Sequence, residues 1–169
     1  MLKLSPKFKE FILTETKRDF LEGTTAAGKT TVGIFKFMLM VAKSDIKYHV
    51  IAGADLGTVE KNVINNERGL LDQFNGLAEY YPKGQGRIGL SHIKYQTPNG
   101  EKIIYVCGYD NKARWKKVLG SQQGCVYIDE VNTADMEFLR EISHRCKYMM
   151  TTSNPDSPDL LVYKEFINH

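Results

Sequence analysis

Short apolar runs along the chain alternate with longer segments in which apolar residues recur at helical spacing. The runs with strand character are residues 18–22 (RDFLE), 48–53 (YHVIAG), 125–128 (CVYI) and 147–152 (KYMMTT). Residues 32–42 are apolar nearly all round, which is typical of a helix buried on a sheet. Strands that alternate with helices predict an α/β domain with a mostly parallel central sheet and helices on both faces.

The remaining segments add helices and a hairpin to this outline. Helices are predicted over residues 5–14, after a cap at Asp55 or Thr58, over about 134–145, and over 158–167. Residues 75–86 are rich in Gly, Tyr and Pro and are expected to be loop. Two further runs, 87–96 and 101–108, are joined by Thr97-Pro98-Asn99-Gly100, and Asn-Gly between alternating apolar residues predicts an antiparallel hairpin added to the sheet.

Length and composition indicate one globular domain over residues 1–169. The hydrophobic share of 42% and the charged share of 25% are globular averages, so a disordered or fibrous chain is excluded. The net charge of +3 is mildly basic and is compatible with a nucleic-acid partner without demanding one.

Cysteine usage and the amino-terminal sequence predict a cytosolic location. The three cysteines are odd in number and widely separated, which favours buried thiols in a reducing compartment. The segment MLKLSPKFKE lacks the apolar core of a signal peptide, and no apolar run is long enough to cross a membrane. The four histidines show no spacing of a zinc site or a catalytic triad, and we assign them no role.

The first chemical signature is an eight-residue match to the phosphate-binding pattern G-x-x-x-x-G-K-[ST], at Gly23 to Thr30. Its two glycines let backbone N–H groups point at a phosphate, and the helix that follows adds its positive N-terminal dipole. Lys29 is placed to reach the β- and γ-phosphates, and Thr30 has the hydroxyl needed to hold Mg²⁺. The candidate nucleotide-binding residues are Gly23, Thr24, Thr25, Ala26, Ala27, Gly28, Lys29, Thr30 and Thr31.

The second signature is an apolar strand that ends in two carboxylates, Cys125 to Glu130. This is the form of a Walker B strand. Asp129 is a candidate Mg²⁺ ligand, and Glu130 is the candidate general base that orients the water attacking the γ-phosphate. An ordinary strand entering a turn has the same pattern, but the upstream phosphate loop favours the catalytic interpretation.

The third signature is the polar end of the next strand, Thr151-Thr152-Ser153-Asn154. Polar side chains at the carboxyl edge of such a sheet can bind ligands. Thr152 and Asn154 are therefore candidates for sensing the γ-phosphate by hydrogen bonding. The alternative is a Ser-Asn-Pro turn that only ends the strand.

In this order and spacing, the three motifs resemble the ATPase domain of bacteriophage terminase large subunits, over most of the chain. The family's Walker A motif falls on Gly23 to Thr30, its Walker B motif and catalytic glutamate on Cys125 to Glu130, and its coupling motif on Thr151 to Asn154. The resemblance implies a P-loop NTPase fold of the ASCE type, with ATP as substrate and Mg²⁺ as cofactor.

The resemblance also implies partners and a location. It implies a motor that packages double-stranded DNA, arranged as a homo-oligomeric ring, a pentamer in the family, on the portal of a procapsid. It further implies a small terminase subunit as partner and the cytoplasm of the infected bacterial host as location. The family's carboxyl-terminal nuclease domain has no counterpart within these 169 residues.

One departure from the family concerns arginine. Many terminases carry Arg or Lys within the phosphate loop, where this chain has Thr24 to Ala27, so the arginine that stabilises the transition state must come from elsewhere. Arg114 is the first candidate, because it lies in a basic segment before the Walker B strand, and Arg140 and Arg145 are reserves. The alternative is that Arg114, with Lys112, Lys116 and Lys117, forms a solvated helix face.

Two other functions remain open on the sequence alone. One is a different P-loop ATPase of helicase-like or AAA type, and the other is a nucleotide-dependent assembly protein without motor activity. The walls of the adenine pocket are weakly specified, and Thr16, Lys17 and Arg18 are the candidates.

Overall fold

The computed structural model describes residues 6–22, 28–120, 122–131 and 134–153. The strands are β1 (Arg18–Glu22), β2 (Tyr48–Gly53), β3 (Ala78–Tyr81), β4 (His92–Thr97), β5 (Gly100–Gly108), β6 (Gln123–Ile128) and β7 (Cys146–Ser153). The helices are α1 (Pro6–Leu13), α2 (Gly28–Lys43), α3 (Leu56–Val59, continued by a π-helical turn over Glu60–Ile64), α4 (Leu70–Gln73), α5 (Lys112–Val118) and α6 (Met136–Arg145). The helix predicted over 158–167 lies outside the described residues.

The described strands form one sheet of seven in the order β1-β7-β6-β2-β5-β4-β3. The first five are parallel to one another, and β4 and β3 are added in antiparallel pairing. Strand β7 lies between β1 and β6, so the last described strand separates the two that carry the first two motifs. This confirms the predicted α/β fold, a mostly parallel central sheet with an antiparallel hairpin added to it.

Two apolar layers cover the sheet. On one face, α2, α3 and α4 bury a cluster that includes Phe37, Ile51 and Tyr127. On the other face, α5 and α6 bury a second cluster around Trp115, Val126 and Phe138. Successive residues of β6 belong to opposite clusters because side chains alternate along a strand, so the six-residue strand is buried throughout.

The hairpin between β4 and β5 is confirmed, but the loop expected over residues 75–86 is wrong in part. Thr97 pairs with Gly100, whose φ of 96° needs a residue without Cβ. Residues Ala78–Tyr81 form β3 instead of loop and pair with β4. Tyr80 packs on the core and donates its hydroxyl proton to Glu60 Oε2 at 2.7 Å. These long-range contacts stabilise a short edge strand that the local composition does not predict.

A buried ion pair ties β1, β7, α1 and α2 together. The Lys36 ammonium is 1% exposed and lies 2.6 Å from Asp19 Oδ2 on β1. It also donates to the Thr14 carbonyl at 2.8 Å and lies over the Phe11 ring, while the Tyr148 hydroxyl of β7 donates to Asp19 Oδ2 at 2.7 Å. Because the charges are paired and hydrogen-bonded, the network fixes how α2 and β7 sit against β1.

A buried histidine connects the starts of the central strands. His49 Nδ1 accepts a hydrogen bond from the Cys125 N–H at 2.9 Å, and Nε2–H donates to the Ile46 carbonyl at 2.8 Å. These bonds require the neutral imidazole, because a protonated Nδ1 would face another donor. Burial lowers the pKa of His49 from 6.5 to about 4, and the nearby Lys102 ammonium acts in the same direction.

All three cysteine thiols are free, and Cys107 and Cys125 are buried, as predicted. Burial raises the pKa of both to about 12, so these thiols stay protonated and inert at neutral pH. Within the part of the chain that the structure describes, no helix is long and apolar enough to cross a membrane.

The burial of neutral His49 predicts a loss of stability in mild acid. The folded-state pKa of about 4 lies below the unfolded value of 6.5, so this contribution is complete above pH 6.5 and is lost as the pH falls toward 4. Between pH 7.5 and pH 5 the loss is about 2 kcal/mol of unfolding free energy.

Urea unfolding of the wild-type protein and of His49→Gln at both pH values checks this expected loss. We expect the difference to shrink by that amount in His49→Gln and to persist in His144→Gln, which changes an exposed histidine. An equal acid loss in both variants would contradict the assignment.

Candidate functional site

The second and third motifs meet at the carboxyl edge of the sheet. Thr151 on β7 pairs with Ile128 on β6, and Thr152 pairs with Leu21 on β1. Asp129 directly follows β6 and is therefore level with Thr152. Adjacent strands lie about 4.8 Å apart, so the end of β1, after which the sequence has the phosphate-binding pattern, is about 10 Å from Asp129 across β7.

One hydroxyl connects the two carboxylate residues. Thr152 Oγ1 donates to Asp129 Oδ1 at 3.0 Å and accepts from the Glu130 N–H at 3.2 Å. Thr152 is 2% exposed and Asp129 5% exposed, while Glu130 is only half-buried. The arrangement places the buried Asp129 and the half-buried Glu130 next to each other at the edge of the sheet.

Glu130 has a left-handed backbone. Its φ is 50°, one of only two positive values that the described residues show outside glycine. This conformation costs a residue with a side chain about 1–3 kcal/mol and is concentrated at active sites. The Glu130 carbonyl accepts the hydroxyl proton of Tyr109 at 3.1 Å, and Tyr109 is a residue that the sequence did not single out. The one sequence feature that could have indicated Tyr109 is its position directly after the predicted strand 101–108.

Helix α2 points its N-terminus at the same edge. The helix begins at Gly28, directly after residues 23–27, and Gly33 allows it to pack closely on the sheet. A Cβ at Gly33 would lie 2.9 Å from Leu21 Cδ1 and 3.5 Å from the Tyr127 ring. Residues Gly23, Thr24, Thr25, Ala26 and Ala27 lie outside the described residues, as does Asn154. The backbone of Lys29, Thr30 and Thr31 forms the first turn of α2.

The side chains present fit a magnesium ion that a nucleotide also holds. Asp129, Thr152 and α2 share one face of the sheet, because Asp129 and Thr152 follow Tyr127 and Met150 by two residues. Among the described residues no group of three or more His, Cys, Asp or Glu could hold a metal by itself. A single buried carboxylate near a helix N-terminus suits Mg²⁺, which keeps several waters and takes its remaining ligands from phosphate.

The arginine candidates lie on α5 and α6, the two helices that cover one face of the sheet. Arg114, in the first turn of α5, is near Cys107 on β5 and Tyr80 on β3. Burial raises the pKa of both groups, and the positive charge of Arg114 opposes part of that rise. Both strands lie farther from β1 than β6 does. Arg145 donates to the Leu119 carbonyl and pairs with Glu141, and Arg140 is on the exposed side of α6.

The basic segment before β6 is a helix face partly neutralised by α6. Lys112 Nζ and Lys116 Nζ lie 2.8 Å and 3.7 Å from the Glu137 carboxylate. Trp115, at the centre of this segment, is 1% exposed and packs edge-on against Phe138. The interpretation of a solvated helix face therefore accounts for Lys112 and Lys116.

The adenine-pocket candidates are at the opposite edge of the sheet. Thr16 and Lys17 precede β1 and line a cavity of about 410 Å³ with Met40, Cys125 and Tyr148. A strand rises about 3.3 Å per residue, so Thr16 is roughly 20 Å along β1 from Glu22, the last residue of that strand. The assignment of Thr16, Lys17 and Arg18 to an adenine pocket stays a prediction.

The likeness of this chain to known proteins is a likeness of structure. No family model matches the chain, and no curated protein matches its sequence. A crystal structure of the large terminase from a thermophilic bacteriophage matches with a TM-score of 0.81 and 17% identity, over 99% of this chain and 43% of that chain. Structures of the same terminase with ATP-gamma-S and with ADP match with TM-scores of 0.72 and 0.76, over 98% of this chain. The fold is thus that of the large terminase structures, and the chain spans less than half of their length.

The Thr152 bridge predicts a specific loss of stability. Thr152→Val keeps the shape but removes the donor to Asp129 and the acceptor for Glu130, and we expect it to lower the unfolding free energy by about 1–3 kcal/mol. Thr152→Ser keeps the hydroxyl and should lose less. Thr151→Val makes the same change at the neighbouring buried position, on the opposite face of β7, and should cost under about 1 kcal/mol. Urea unfolding at pH 7 measures all three, and an equal loss in the two valine variants would contradict the bridge.

Proposed function

We propose that this chain is the motor domain of a phage terminase large subunit, which hydrolyses ATP with Mg²⁺ to move double-stranded DNA into a procapsid. The observation that carries the proposal is the hydrogen-bonded set Asp129, Glu130 and Thr152 at the sheet edge where α2 and its phosphate-loop sequence begin. An ATPase needs a metal ligand, a base and a phosphate cradle together at that edge.

Each residue has a role that follows from its chemistry. Gly23 to Thr31 provide backbone N–H groups and the Lys29 ammonium for the phosphates. Asp129 and Thr30 are the residues that would hold Mg²⁺, which, when bound, neutralises charge that develops on the phosphate oxygens. The half-exposed Glu130 carboxylate accepts the proton of the attacking water. Thr152 and Asn154 are the proposed sensors of the γ-phosphate.

The DNA-packaging part of the proposal rests on the fold and on the motifs. The likeness to a large terminase covers nearly the whole chain, and two of the similar structures hold ATP-gamma-S or ADP. From it we propose a homo-oligomeric ring, a pentamer, on the portal, with double-stranded DNA and a small terminase subunit as partners. The location would be the host cytoplasm, with docking on the procapsid. A helicase-like ATPase would hydrolyse ATP equally well but would not support packaging.

Single substitutions test the hydrolysis. Glu130→Gln removes the base while keeping its shape, so we expect the rate of ATP hydrolysis to fall by about 10²–10⁴-fold, with ATP-gamma-S binding retained. Lys29→Ala should lose both hydrolysis and binding, because it removes the phosphate-binding ammonium. Phosphate release and isothermal titration measure the two properties.

Glu137→Gln is the matched control, because it makes the same change on the exposed face of α6 and should keep the wild-type rate. Full hydrolysis in Glu130→Gln would refute its role as base. Nucleotide binding without turnover in the wild type at any protein concentration would instead favour an assembly protein.

The position of Arg114 predicts that hydrolysis depends on neighbouring subunits. Arg114 lies in the first turn of α5, which packs beside β5, two strands from β6, and we propose that it acts on the site of a neighbouring subunit. The rate per chain should therefore rise with protein concentration, and Arg114→Ala should lower the high-concentration rate by about 10³-fold. Steady-state assays over a concentration series check this. The control is Arg87→Ala, which removes an exposed arginine that is no candidate for this role. A rate independent of concentration, or unchanged in Arg114→Ala, would exclude the proposed arginine finger.

A further inference from the structure

We propose that Tyr109 is a positioning residue for Glu130, holding its left-handed peptide so that the carboxylate faces the attacking water. The inference rests on the proposed function of Glu130 as base. Tyr109 lies outside the three sequence motifs. In this proposal it acts on the backbone of Glu130 and does not contact the nucleotide.

Tyr109 is itself rigidly placed. Its N–H donates to the Gly53 carbonyl at 2.9 Å, which fixes the residue against the end of β2. Its ring is 6% exposed and packs against Phe138 of α6, with ring centroids 5.9 Å apart. The hydroxyl therefore has a defined position, and from it the proton is donated to the Glu130 carbonyl at 3.1 Å.

The Glu130 residue is held from both sides of its α-carbon. Its N–H donates to Thr152 Oγ1 at 3.2 Å, and its carbonyl accepts from Tyr109 at 3.1 Å. The first partner belongs to β7 and the second follows β5, so the two bonds come from opposite sides of β6 along the sheet. A residue with a positive φ keeps that conformation only when its surroundings fix it.

The direction of the carboxylate depends on that conformation. Residues 129 and 130 follow β6, and a continued extended strand would place the two side chains on opposite faces of the sheet. The left-handed φ of 50° turns the chain at Glu130 and changes the direction of its Cα–Cβ bond. If the peptide relaxes, the carboxylate keeps its chemistry but no longer lies where the attacking water must be, so turnover falls while nucleotide affinity does not.

The Tyr109→Phe substitution tests this because it removes only the hydroxyl. We expect kcat for ATP to fall about tenfold, with KM and the ATP-gamma-S dissociation constant unchanged within about twofold. In the Glu130→Gln background, the same substitution should have no further effect on the residual rate, since the two residues act as one unit.

Tyr80→Phe is the matched control. It removes a tyrosine hydroxyl of the same kind, which donates to Glu60 at 2.7 Å on the far side of the sheet. Both variants lose a buried or half-buried tyrosine hydroxyl that donates a hydrogen bond to another element, so both should lose stability in urea unfolding, but only Tyr109→Phe should lose turnover. Equal kcat in the two variants, or a loss in Tyr109→Phe that appears in KM alone, would overturn the proposal.

Hydrogen exchange gives a readout that does not require catalysis. In Tyr109→Phe the amide proton of Glu130 should exchange about tenfold faster than in the wild type, because its residue is no longer held at the carbonyl. Tyr80→Phe should leave that rate unchanged. Unchanged exchange in Tyr109→Phe overturns the positioning role even if the domain proves inactive. Faster exchange in Tyr109→Phe, together with a wild-type protein that does not hydrolyse ATP, would refute the ATPase proposal and leave the hydrogen-bond assignment intact.

Discussion

The insertion of β7 between β1 and β6 is the constraint on which the site depends. Strand β7 pairs in parallel with both neighbours. The register places Thr152 beside Asp129 on one side and beside Leu21 on the other. One threonine hydroxyl can then bond to the two consecutive residues after β6. A shift of one residue in the pairing of β6 with β7 would turn Thr152 to the opposite face and leave both of its partners without it.

Polar groups buried near the amino ends of the strands stabilise that pairing. The Lys36–Asp19–Tyr148 network connects β1 to β7 across α2, and His49 connects β2 to the start of β6. A buried charge left without its partner is very unfavourable, so displaced strand pairings that separate these groups are strongly disfavoured. The polar interior therefore specifies the relative positions of the strands, while the two apolar clusters supply most of the favourable free energy of folding.

The sequence predicts the α/β class, most of the helices and strands, and the positions of Asp129 and Glu130 directly after a buried strand, because these features depend on local patterns. The strand run 125–128 and the cap at Asp55 are examples that the structure confirms. The roles of Asp129 and Glu130 remain predictions, although the structure places the two residues together with Thr152. Strand β3 was missed because its Tyr-Tyr pair stands among turn residues and gains its stability from β4. Tyr109 and His49 were missed because their partners are 21 and 76 residues away along the chain, and no local pattern predicts such contacts.

Helix α6 ends at Arg145 and β7 begins at Cys146, so the helix enters the strand with no connecting loop. Most connections in compact domains contain several residues that can absorb a change in length. The connection between α6 and β7 contains no such residue. Phe138 is buried against Tyr109 and Trp115, and Thr152 is held at the sheet edge, so the number of residues between them cannot change without displacing one of the two. The segment from α6 through β7 is therefore a part of the chain where insertions and deletions are not tolerated, whereas the exposed turn at Pro98 and Asn99 can accept them. Variation in length among related sequences should follow that division.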